Sequence, residues 1–421
     1  MTNLTALRYG WLGFALAMLG IPLYIYLPTY YAQQSSLSLT AVGSALLLAR
    51  TFDVITDPLI GWWSDRLHAN FSRTKQMLVS AGLLLLGVYQ LWLPNLAELS
   101  WWHLFSWSFI TYLAWTAISI PYLAMSAEIS REQHYKTLLS SAREGFAIIG
   151  VLLVLSLPLL SGLGAQQPEF YGLLFGIFAL VFISGLLLLI KLPTQVSLTA
   201  NAPPVNLTPP WTLIKQLWQL HRQVFQIMPS YFLNNLANAL PATLFLIFVS
   251  SYLQLEAQTG QFLFIYFMAG LLSLPLWIKI AKRFGKQPTW QASMLIASVS
   301  FIGVFFLEPG DATGFMIVSI LTGLSLGIDV AMPASIQADL SQEVTSQQST
   351  GLLFGLWGML TKLALALAVG IAFPILEWSQ TAQIEHAWSS TFDLPSSTLL
   401  ALYAGLPILL KLWSWSLLRR L

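Results

Sequence analysis

Two carboxylates and a guanidinium lie within the apolar stretch ARTFDVITDPLIGWWSDR, residues 49–66. Asp53 and Asp57 are four residues apart, so on a helix they share one face, with Arg50 and Thr56 on or near it. An ionised side chain at membrane depth costs about 3 kcal/mol or more. That cost is offset if a cation lies between the carboxylates or if one of them keeps a proton. The spacing therefore predicts a site that exchanges a small cation.

Sodium is the metal ion that these ligands favour, because two carboxylates and the Thr56 hydroxyl supply several oxygen atoms. Asp53 and Asp57 are therefore the candidate sodium ligands. The alternative is a structural ion pair of Arg50 with Asp53 or with Asp57, which would orient the helices. Such a pair explains one carboxylate and leaves the second without a reason, so the cation site is the preferred interpretation.

The composition indicates which solvent surrounds these residues. The chain has 421 residues, of which 56% are hydrophobic and 9% are charged, whereas a soluble domain carries about 25% charged residues. So few charges cannot cover a water-facing surface, and we predict an all-α protein that crosses a lipid bilayer many times. The chain has no cysteine, which excludes disulfides and thiolate metal sites.

Twelve apolar segments are each long enough to cross a bilayer as a helix, which takes about 20 residues. They are residues 9–31, 41–63, 76–94, 102–124, 143–161, 171–191, 228–250, 261–278, 289–307, 313–334, 351–375 and 397–418. The longest polar stretch, rich in Pro, Asn and Thr, separates the sixth segment from the seventh. The predicted organisation is an N-terminal six-helix half at 1–191, a cytoplasmic linker at 192–227 and a C-terminal six-helix half at 228–421.

The distribution of Lys and Arg orients the predicted helices, because positive charges concentrate on the cytoplasmic side. With both termini in the cytoplasm, the six outer loops contain no Lys or Arg, and the inner loops contain residues such as Arg73, Lys136 and Lys282. We therefore predict an integral membrane protein with both termini cytoplasmic. Its short termini and compact loops indicate a bacterial inner membrane.

Several function classes lack their sequence signals. No HExxH, no DxD-type motif and no Ser-His-Asp set is present, and the five His are scattered in loops without metal-ligand spacing. No basic cluster is interleaved with aromatic residues, as nucleic-acid binding requires. We predict neither an enzyme nor a nucleic-acid partner, and no cofactor beyond a coupling ion. A membrane scaffold or sensor without transport activity stays an alternative.

A second motif follows the acidic one along the same predicted helix. The sequence GWWSDR matches the Gly-x-x-x-Asp-Arg start of the loop motif of major facilitator transporters, with Gly61, Asp65 and Arg66 in its positions. Two parallel six-helix halves are the layout of these transporters. In that motif the Asp-Arg pair acts as a conformational latch at the inner face, and Gly61 would permit close helix approach.

The stretch ARTFDVITDPLIGWWSD resembles the glycoside–pentoside–hexuronide:cation symporters, the branch that contains melibiose permease. The second helix of that family reads Arg-x-x-Asp-x-x-x-Asp-Pro-x-x-Gly, and Arg50, Asp53, Asp57, Pro58 and Gly61 match it. The opening segment YGWLGFALAMLGIPLYIYLPTYY and the segment ASIQADLSQEVTSQQSTGLLFGLWGMLTKLALALAVG also look like their counterparts. The similarity covers most of the chain and implies the major facilitator fold and cation-coupled symport.

The resemblance also implies roles at individual positions. Asp53, Asp57 and Thr116 fall on the cation ligands of the family, with Thr56 where relatives place Asn. Arg143 falls on a substrate-contacting Arg of the fifth helix, and Lys362 on an eleventh-helix Lys near both sites. The remaining candidates are Ser119, Tyr122, Asn234, Asn238 and Asp329 for substrate or coupling, and Gly61, Asp65, Arg66, Arg50 and Asp339 for the conformational latch.

Departures from the family concern the sugar site. The two further Asp residues with which melibiose permease grips sugar hydroxyls correspond to Ala17 and Ser119 here, and an aromatic platform corresponds to Leu123. The cation site is thus retained and the galactoside grip is lost. We predict symport of a glycoside-like small solute by alternating access. The alternative is a cation-coupled carrier of a lysolipid-like amphipathic lipid or another organic metabolite.

Three alternatives stay open at the level of single residues and of the ion. Asn234 and Asn238 share a helix face, where they either line the substrate cavity or form a hydrogen bond between helices. Asp329 either contacts substrate or pairs with Lys362. The coupling ion is sodium or a proton. The expected partners are a small-molecule substrate and membrane lipid, and the expected oligomeric state is a monomer.

Overall fold

The structure is a computed structural model, and it describes residues 3–34, 37, 39–68, 71–95, 99–130, 132–164, 167–192, 209–343, 349–384 and 396–420. These residues are almost entirely helical, and no β-strand occurs among them. Lipid offers no hydrogen-bond partners to the backbone, so a chain of this composition satisfies its amide groups within helices. The predicted all-α fold class is confirmed.

Long helices cover the twelve predicted spans, and we number them first to twelfth. In the N-terminal half the first helix runs through Asn3–Met18, a π-helical turn at Pro22–Tyr26 and Leu27–Gln34, and it is followed by Leu39–His68, Arg73–Trp92, Trp101–Ile129, Gln133–Ser161 and Pro168–Ile190. In the C-terminal half the helices are Met228–Ile247 with a π-helical turn at Phe248–Tyr252, Thr259–Phe284, Lys286–Ile302, Ala312–Glu343, Thr350–Ile384, and a twelfth helix made of Ser396–Leu400, Ala401–Gly405 and Leu406–Arg419.

Ten helices in the described part of the chain are long and apolar enough to cross a membrane. The second and third helices occupy their predicted spans without reaching that hydropathy. The second carries Arg50, Asp53 and Asp57 within its span, and the third begins with the polar stretch Arg73–Gln76. The protein is therefore an integral membrane protein, and the full count of twelve spans stays a prediction at these two helices.

The predicted linker at 192–227 contains helical structure that the sequence reading missed. Residues 193–208 lie outside the described residues, and helices occupy Pro210–Leu220 and Arg222–Gln226. Pro210 stands in the first turn of its helix, where its missing N–H costs nothing. The stretch rich in Pro, Asn and Thr that predicted the linker ends near this proline.

The chain divides into two compact units. The N-terminal unit comprises Met1–His221 and Ala334–Met359, and the C-terminal unit comprises Arg222–Pro333 and Leu360–Leu421. In the N-terminal unit the first helix packs on the fifth and sixth, and the fourth packs on the second and third. The segment Ala334–Met359 belongs to this unit, so the end of the tenth helix and the start of the eleventh helix are part of it.

The C-terminal unit is built around its twelfth helix. The seventh and ninth helices pack against the twelfth, and the eighth packs against the ninth. Aromatic rings fill the core, where the ring centroids of Phe248 and Tyr403 are 4.0 Å apart and their planes differ by 5°. Phe315 and Phe262 meet edge to face beside this pair, with centroids 4.9 Å apart. Such ring pairs contribute about 0.5–1.5 kcal/mol each beyond the area that they bury.

Glycines allow a close contact between two helices of the N-terminal unit. A methyl group added at Gly61 would overlap the carbonyl oxygen of Gly351, and a methyl group at Gly351 would lie 2.6 Å from the carbonyl oxygen of Gly61. No real Cβ atom tolerates such a distance, so the second helix approaches the start of the eleventh helix only because both positions lack a side chain. The position of Gly61 agrees with the close approach expected from the loop motif.

Substituting this glycine tests the contact. We expect Gly61→Ala to lower the thermal midpoint, with a loss of about 1–3 kcal/mol, because the added methyl forces the two helices apart. The matched control is Gly43→Ala on the same helix, where an added methyl has no atom within 4 Å. The control should gain up to about 1 kcal/mol from helix propensity. Thermal unfolding in detergent measures both, and equal midpoints would contradict the contact.

Candidate functional site

The second and fourth helices bring Asp53, Asp57 and Thr116 together. The Thr116 hydroxyl oxygen lies 2.9 Å from Asp53 Oδ1 and 3.0 Å from Asp57 Oδ1. The three residues are buried, with exposed fractions of 5%, 2% and 5%. A hydroxyl carries one hydrogen, so Thr116 donates to one carboxylate at a time and offers its lone pairs to any cation that lies between them. The arrangement has the oxygen-only ligands that the sequence predicted.

Glycines of the eleventh helix cover Asp57. A methyl group at Gly358 would lie 2.6 Å from Asp57 Oδ2, and one at Gly355 would overlap the carbonyl oxygen of Asp57. These two positions and Gly351 follow one another at spacings of four and three residues, so they form one side-chain-free face. The Asp57 carboxylate therefore lies directly against the backbone of the eleventh helix.

Two other predicted members of the cation site have different contacts. The Thr56 hydroxyl donates to the backbone carbonyl of Asp53, 3.1 Å away, which is a common use of a Thr within a helix. The guanidinium carbon of Arg50 lies 3.9 Å from the ring centroid of Tyr24. This cation–π contact is the partner that the structure gives Arg50, in place of the ion pair with Asp53 or Asp57 that the sequence left open.

Asp65 caps the eleventh helix from outside it. Its carboxylate accepts hydrogen bonds from the backbone N–H groups of Gly351, at 2.7 Å, and Leu352, at 2.8 Å. The first amides of a helix have no partner within the helix, and the helix dipole favours a negative charge there. The carboxylate of the second helix thus supplies what the eleventh helix lacks at its start, Thr350.

Arg73 completes a buried group that we call the Asp65 cluster: Asp65, Ser64, Arg73, Gln76 and Glu128. Arg73 donates to Asp65 Oδ1 at 2.6 Å, to Ser64 Oγ at 2.7 Å and to Glu128 Oε1 at 3.0 Å. Burial lowers the pKa of Arg73, but the charges of Glu128 and Asp65 outweigh burial and raise the pKa above its ordinary value. The guanidinium is therefore a permanent charge that joins the second, third and fourth helices.

Arg66 and Asp339 are two further predicted latch residues, and each has its own partner. The guanidinium of Arg66 covers the ring of Trp62, 3.7 Å from its centroid. Asp339 pairs with Lys136 at 3.0 Å, and the same ammonium donates to the carbonyl of Ala338 at 3.2 Å. The charged partner of Asp65 in the structure is Arg73.

The predicted substrate residues of the N-terminal unit are Arg143, Tyr122 and Ser119. Arg143 pairs with the adjacent Glu144, and both side chains are 14% exposed. The Tyr122 hydroxyl donates to the carbonyl of Tyr9 at 2.6 Å, and the Tyr9 hydroxyl donates back to the carbonyl of Tyr122 at 2.9 Å. Ser119 is half-buried, three residues beyond Thr116 on the fourth helix.

In the C-terminal unit the sequence named the right carboxylate and the wrong partner. Asp329 pairs with Lys411 at 2.7 Å, not with Lys362. Asn234 and Asn238 both donate to the Asp329 carboxylate, at 3.2 Å and 3.0 Å. The hydrogen bond between helices is therefore the interpretation that the structure supports for these two amides.

Lys362 follows Thr361, which joins the eleventh helix to the seventh. The neighbouring Thr361 hydroxyl lies 2.7 Å from the hydroxyl of Tyr231, which connects the eleventh helix to the seventh. Lys362 itself is half-buried on the eleventh helix. Its predicted role between the cation site and the substrate stays a prediction.

Several residues that contact the predicted site residues were not themselves predicted as site residues from the sequence. Arg73 and Lys136 were counted only as positive charges of the cytoplasmic side, and Glu128, Gly355 and Gly358 were not singled out. Lys411 carried a usable signal, because a lysine within the apolar segment 397–418 is itself a candidate functional residue. Which carboxylate it meets depends on helix packing and could not be read from its position.

Metal ligation can be assessed from the donor set. Within the described ranges no group of three or more His, Asp and Glu side chains could hold a metal ion. Asp53, Asp57 and Thr116 offer two carboxylates and one hydroxyl. Hard cations take such oxygen ligands, whereas transition metals favour nitrogen and sulfur. The donor set fits a monovalent coupling ion.

Comparison with known proteins decides the family. The family model described as MFS/sugar transport protein matches residues 8–421. The chain belongs to this family. Among its relatives are the glycoside–pentoside–hexuronide:cation symporters that the second-helix motif indicated, so the protein is a secondary transporter of the major facilitator superfamily and not an enzyme.

Individual relatives of this symporter are distant in sequence. Uncharacterized symporter sll1374 of Synechocystis sp. is 22% identical and covers 89% of this chain and 85% of its own length. A glucuronide carrier protein homolog of Escherichia coli is 20% identical over 84% of this chain and 78% of its own. A sodium-dependent lysophosphatidylcholine symporter of Gallus gallus is also 20% identical, over 86% of this chain and 76% of its own.

Solved structures share the fold. A bacterial homologue of the iron transporter ferroportin in an outward-facing state has a TM-score of 0.72 at 14% identity and covers 100% of this chain and 99% of its own. The major facilitator transporter FucP has a TM-score of 0.69 at 13% identity and covers 100% and 98%. Likeness at this identity shows the architecture alone.

The Asp65 cluster of the symporter predicts a large coupling between two charges. We expect Asp65→Asn to destabilise the protein by about 3 kcal/mol, because it removes one of the two carboxylates that compensate the buried guanidinium of Arg73 and leaves Glu128 as its remaining charged partner. In the double variant Asp65→Asn/Arg73→Gln the loss should be smaller than the sum of the single losses, because each single variant already removes the interaction between Asp65 and Arg73. Thermal unfolding of the four proteins in detergent gives the coupling, and strictly additive losses would contradict the cluster.

Proposed function

We propose that the protein couples a cation gradient to the uptake of a sugar-like solute, with Asp53, Asp57 and Thr116 as the cation site. The observation that carries the proposal is the Thr116 hydroxyl, which lies about 3 Å from both carboxylates of the second helix, with all three side chains buried. Membership in a family of sugar transporters supports symport as the use of that site.

The coupling ion is sodium or a proton. A sodium ion between the carboxylates would take oxygen ligands from both and from Thr116. A proton would reside on one carboxyl group, which then donates a hydrogen bond to its neighbour. Either ion lowers the negative charge of the pair and so reduces the cost of burying it. By linkage, a solute that binds the cation-loaded form more tightly raises the affinity for the cation equally.

The contact of Asp57 with the eleventh helix offers a route for coupling. The backbone of Gly355 and Gly358 lies against Asp57, and Gly61 and Asp65 hold the start of the same helix one and two turns further on. A change of charge or position at Asp57 therefore reaches the cytoplasmic end of the eleventh helix without an intermediary. In alternating access, this helix end would pack differently in the loaded and empty forms.

Solute binding is assigned to the polar residues of the fifth and fourth helices. Arg143 and Glu144 form a charged pair in which each side chain stays partly exposed. A guanidinium and a carboxylate side by side can donate to and accept from sugar hydroxyls, and a guanidinium also matches the carboxylate of a hexuronide. Ser119 and Tyr122 lie on the fourth helix, which also carries Thr116 of the cation site. Arg143 and Glu144 would supply the solute site with charged groups, which the apolar side chains of Ala17 and Leu123 cannot supply.

Sodium binding is tested by thermal stability of the purified protein in NaCl, LiCl and KCl at several pH values. A ligand that binds only the folded state stabilises it by about 2.7 kcal/mol at 100 times its dissociation constant. We expect a sodium-selective rise of the midpoint, which Asp57→Asn abolishes and Thr116→Val weakens because each removes an oxygen ligand. A pH-dependent midpoint without a sodium effect assigns the site to protons.

The matched control for this test is Thr111→Val on the same helix. The Thr111 hydroxyl makes no hydrogen bond with the described part of the protein, so its loss should leave the sodium response unchanged. A wild-type protein that responds to neither sodium nor pH, or a Thr111→Val protein as impaired as Thr116→Val, would refute the assigned cation site.

A lipid substrate is the second candidate. A lysophosphatidylcholine symporter is among the relatives, over 86% of this chain. Apolar residues, Ala17 and Leu123, stand where the sugar-gripping side chains are expected. The names of the other relatives, which include a glucuronide carrier homolog and a glycoside/cation symporter, favour the sugar-like solute.

Uptake into proteoliposomes distinguishes the two substrates. We expect an inward sodium or proton gradient to drive accumulation of a labelled glucuronide or alkyl glycoside and not of labelled lysophosphatidylcholine. Arg143→Gln should abolish uptake while leaving the sodium-dependent thermal shift intact, because Arg143 contacts the solute and not the cation. Gradient-driven uptake of the lysolipid alone would instead establish the second candidate.

The membrane setting completes the proposal. The asymmetry of Lys and Arg supports cytoplasmic termini, and the bacterial relatives support location in a bacterial inner membrane. We propose that the transporter works as a monomer surrounded by lipid, which is consistent with the many exposed apolar side chains of its helices.

A further inference from the structure

The C-terminal unit contains a buried polar group that symport at Asp53 and Asp57 does not use. We call it the Asp329 cluster: Asp329, Lys411, Asn234, Asn238, Trp290 and Ser293. Its members come from the seventh, ninth, tenth and twelfth helices. Asp329 is 5% exposed and Lys411 is 1% exposed. Charged side chains this deep within apolar helices are expensive, so the cluster calls for a specific reason.

The carboxylate of Asp329 is fully occupied. Its Oδ1 accepts from Asn234, Trp290 and Ser293, each at 3.2 Å. Its Oδ2 accepts from Asn238 at 3.0 Å and from Lys411 at 2.7 Å. A carboxylate has about four lone-pair positions, so these donors saturate it.

The ammonium of Lys411 lies between two oxygen atoms. Besides Asp329 Oδ2, it donates to Asn234 Oδ1 at 3.0 Å. Asn234 in turn donates from its own amide to Asp329, so the lysine, the amide and the carboxylate bond one another in a closed ring. A lysine that faced lipid would extend its stem toward the headgroups. This one is directed inward, where amide and carboxylate oxygens surround its charge.

The chemistry of the surroundings is that of a cation site. A carboxylate oxygen and an amide oxygen converge on one positive group, and the carboxylate is oriented by four uncharged donors: Asn234, Asn238, Trp290 and Ser293. The positive group belongs to the protein instead of the solution. Its attachment to the twelfth helix means that it cannot leave, so the charge of Asp329 stays compensated without an exchangeable ion.

We propose that the Asp329 cluster is a second cation site whose permanent occupant is the primary ammonium group of Lys411. The site selects a primary ammonium ion, because that group can donate to Asp329 Oδ2 and Asn234 Oδ1 at once. Removal of the lysine side chain leaves a site that binds a small free alkylammonium ion. The C-terminal unit thereby carries a fixed charge pair, and no ion from solution is needed to compensate Asp329.

Chemical rescue tests this site. Lys411→Ala protein is compared with wild type by thermal unfolding in ethylammonium chloride and in tetramethylammonium chloride, at equal concentration. We expect ethylammonium to raise the midpoint of Lys411→Ala by at least about 2 °C, because it restores the charge and the two hydrogen bonds. Tetramethylammonium cannot donate a hydrogen bond and should give no rise, and wild type should respond to neither ion.

Loss of the carboxylate supplies the matched control. In Lys411→Ala/Asp329→Asn the ethylammonium effect should disappear, because the amide carries no charge to compensate. A rise of equal size in this double variant or in wild type would show a general salt effect and overturn the proposal. Absence of any ethylammonium-specific rise in Lys411→Ala would overturn it as well, since the lysine would then be a structural partner without a site.

A second route covers the case in which Lys411→Ala does not fold. The comparison is then made on the monodisperse yield of protein extracted in the two ammonium salts, with the same expected order. In addition, Lys411→Cys introduces the sole cysteine of the chain, so a thiol reagent acts at that position alone. Treatment with 2-aminoethyl methanethiosulfonate should restore the thermal midpoint, and the neutral propyl reagent of matched size should not. Equal effects of the two reagents would overturn the proposal.

Discussion

The cost of burying a carboxylate among apolar helices decides where the polar side chains of this protein lie. Four carboxylates, which form three groups, meet that cost in different ways. Asp65 accepts from two backbone amides and from the guanidinium of Arg73. Asp329 is compensated by the ammonium of Lys411 and by four uncharged donors. Asp53 and Asp57 share the single hydroxyl of Thr116. The first two groups include a positively charged side chain of the protein, and the third brings two carboxylates to one hydroxyl.

The convergence of two carboxylates on one hydroxyl is the basis on which we propose the acidic pair of the second helix as the site of an exchangeable ion. A guanidinium or an ammonium on a neighbouring helix is a fixed compensation, and it stabilises one packing of the helices. Two carboxylates around one hydroxyl form a site in which a sodium ion or a proton changes the local charge. The glycine face of the eleventh helix lies directly against Asp57. A change at the ion site therefore acts on helix packing, because no intervening side chain can absorb it.

The same residues show how little of the function resides in the fold. The architecture is shared with a bacterial homologue of an iron transporter and with the transporter FucP at 13–14% identity, and such a likeness shows the fold and no substrate. We propose that substrate choice depends on a few side chains of the first, fourth and fifth helices. There, the charged pair of Arg143 and Glu144 is accompanied by Ala17 and Ser119, the positions that correspond by resemblance to the sugar-gripping acids of melibiose permease.

Composition and spacing by themselves determined the all-α membrane fold, the helix positions and the acidic face of the second helix, because lipid forces the backbone into helices and a four-residue spacing defines a helix face. The motif residues Gly61 and Asp65 could also be named from the sequence. Only the tertiary structure decided that Asp65 meets Arg73 and the start of the eleventh helix, that Arg50 meets Tyr24, and that Asp329 meets Lys411 instead of Lys362. Each of these contacts joins residues on different helices, and the rotation and depth of one helix against another are set by packing over its whole length. A local pattern carries no information about that packing.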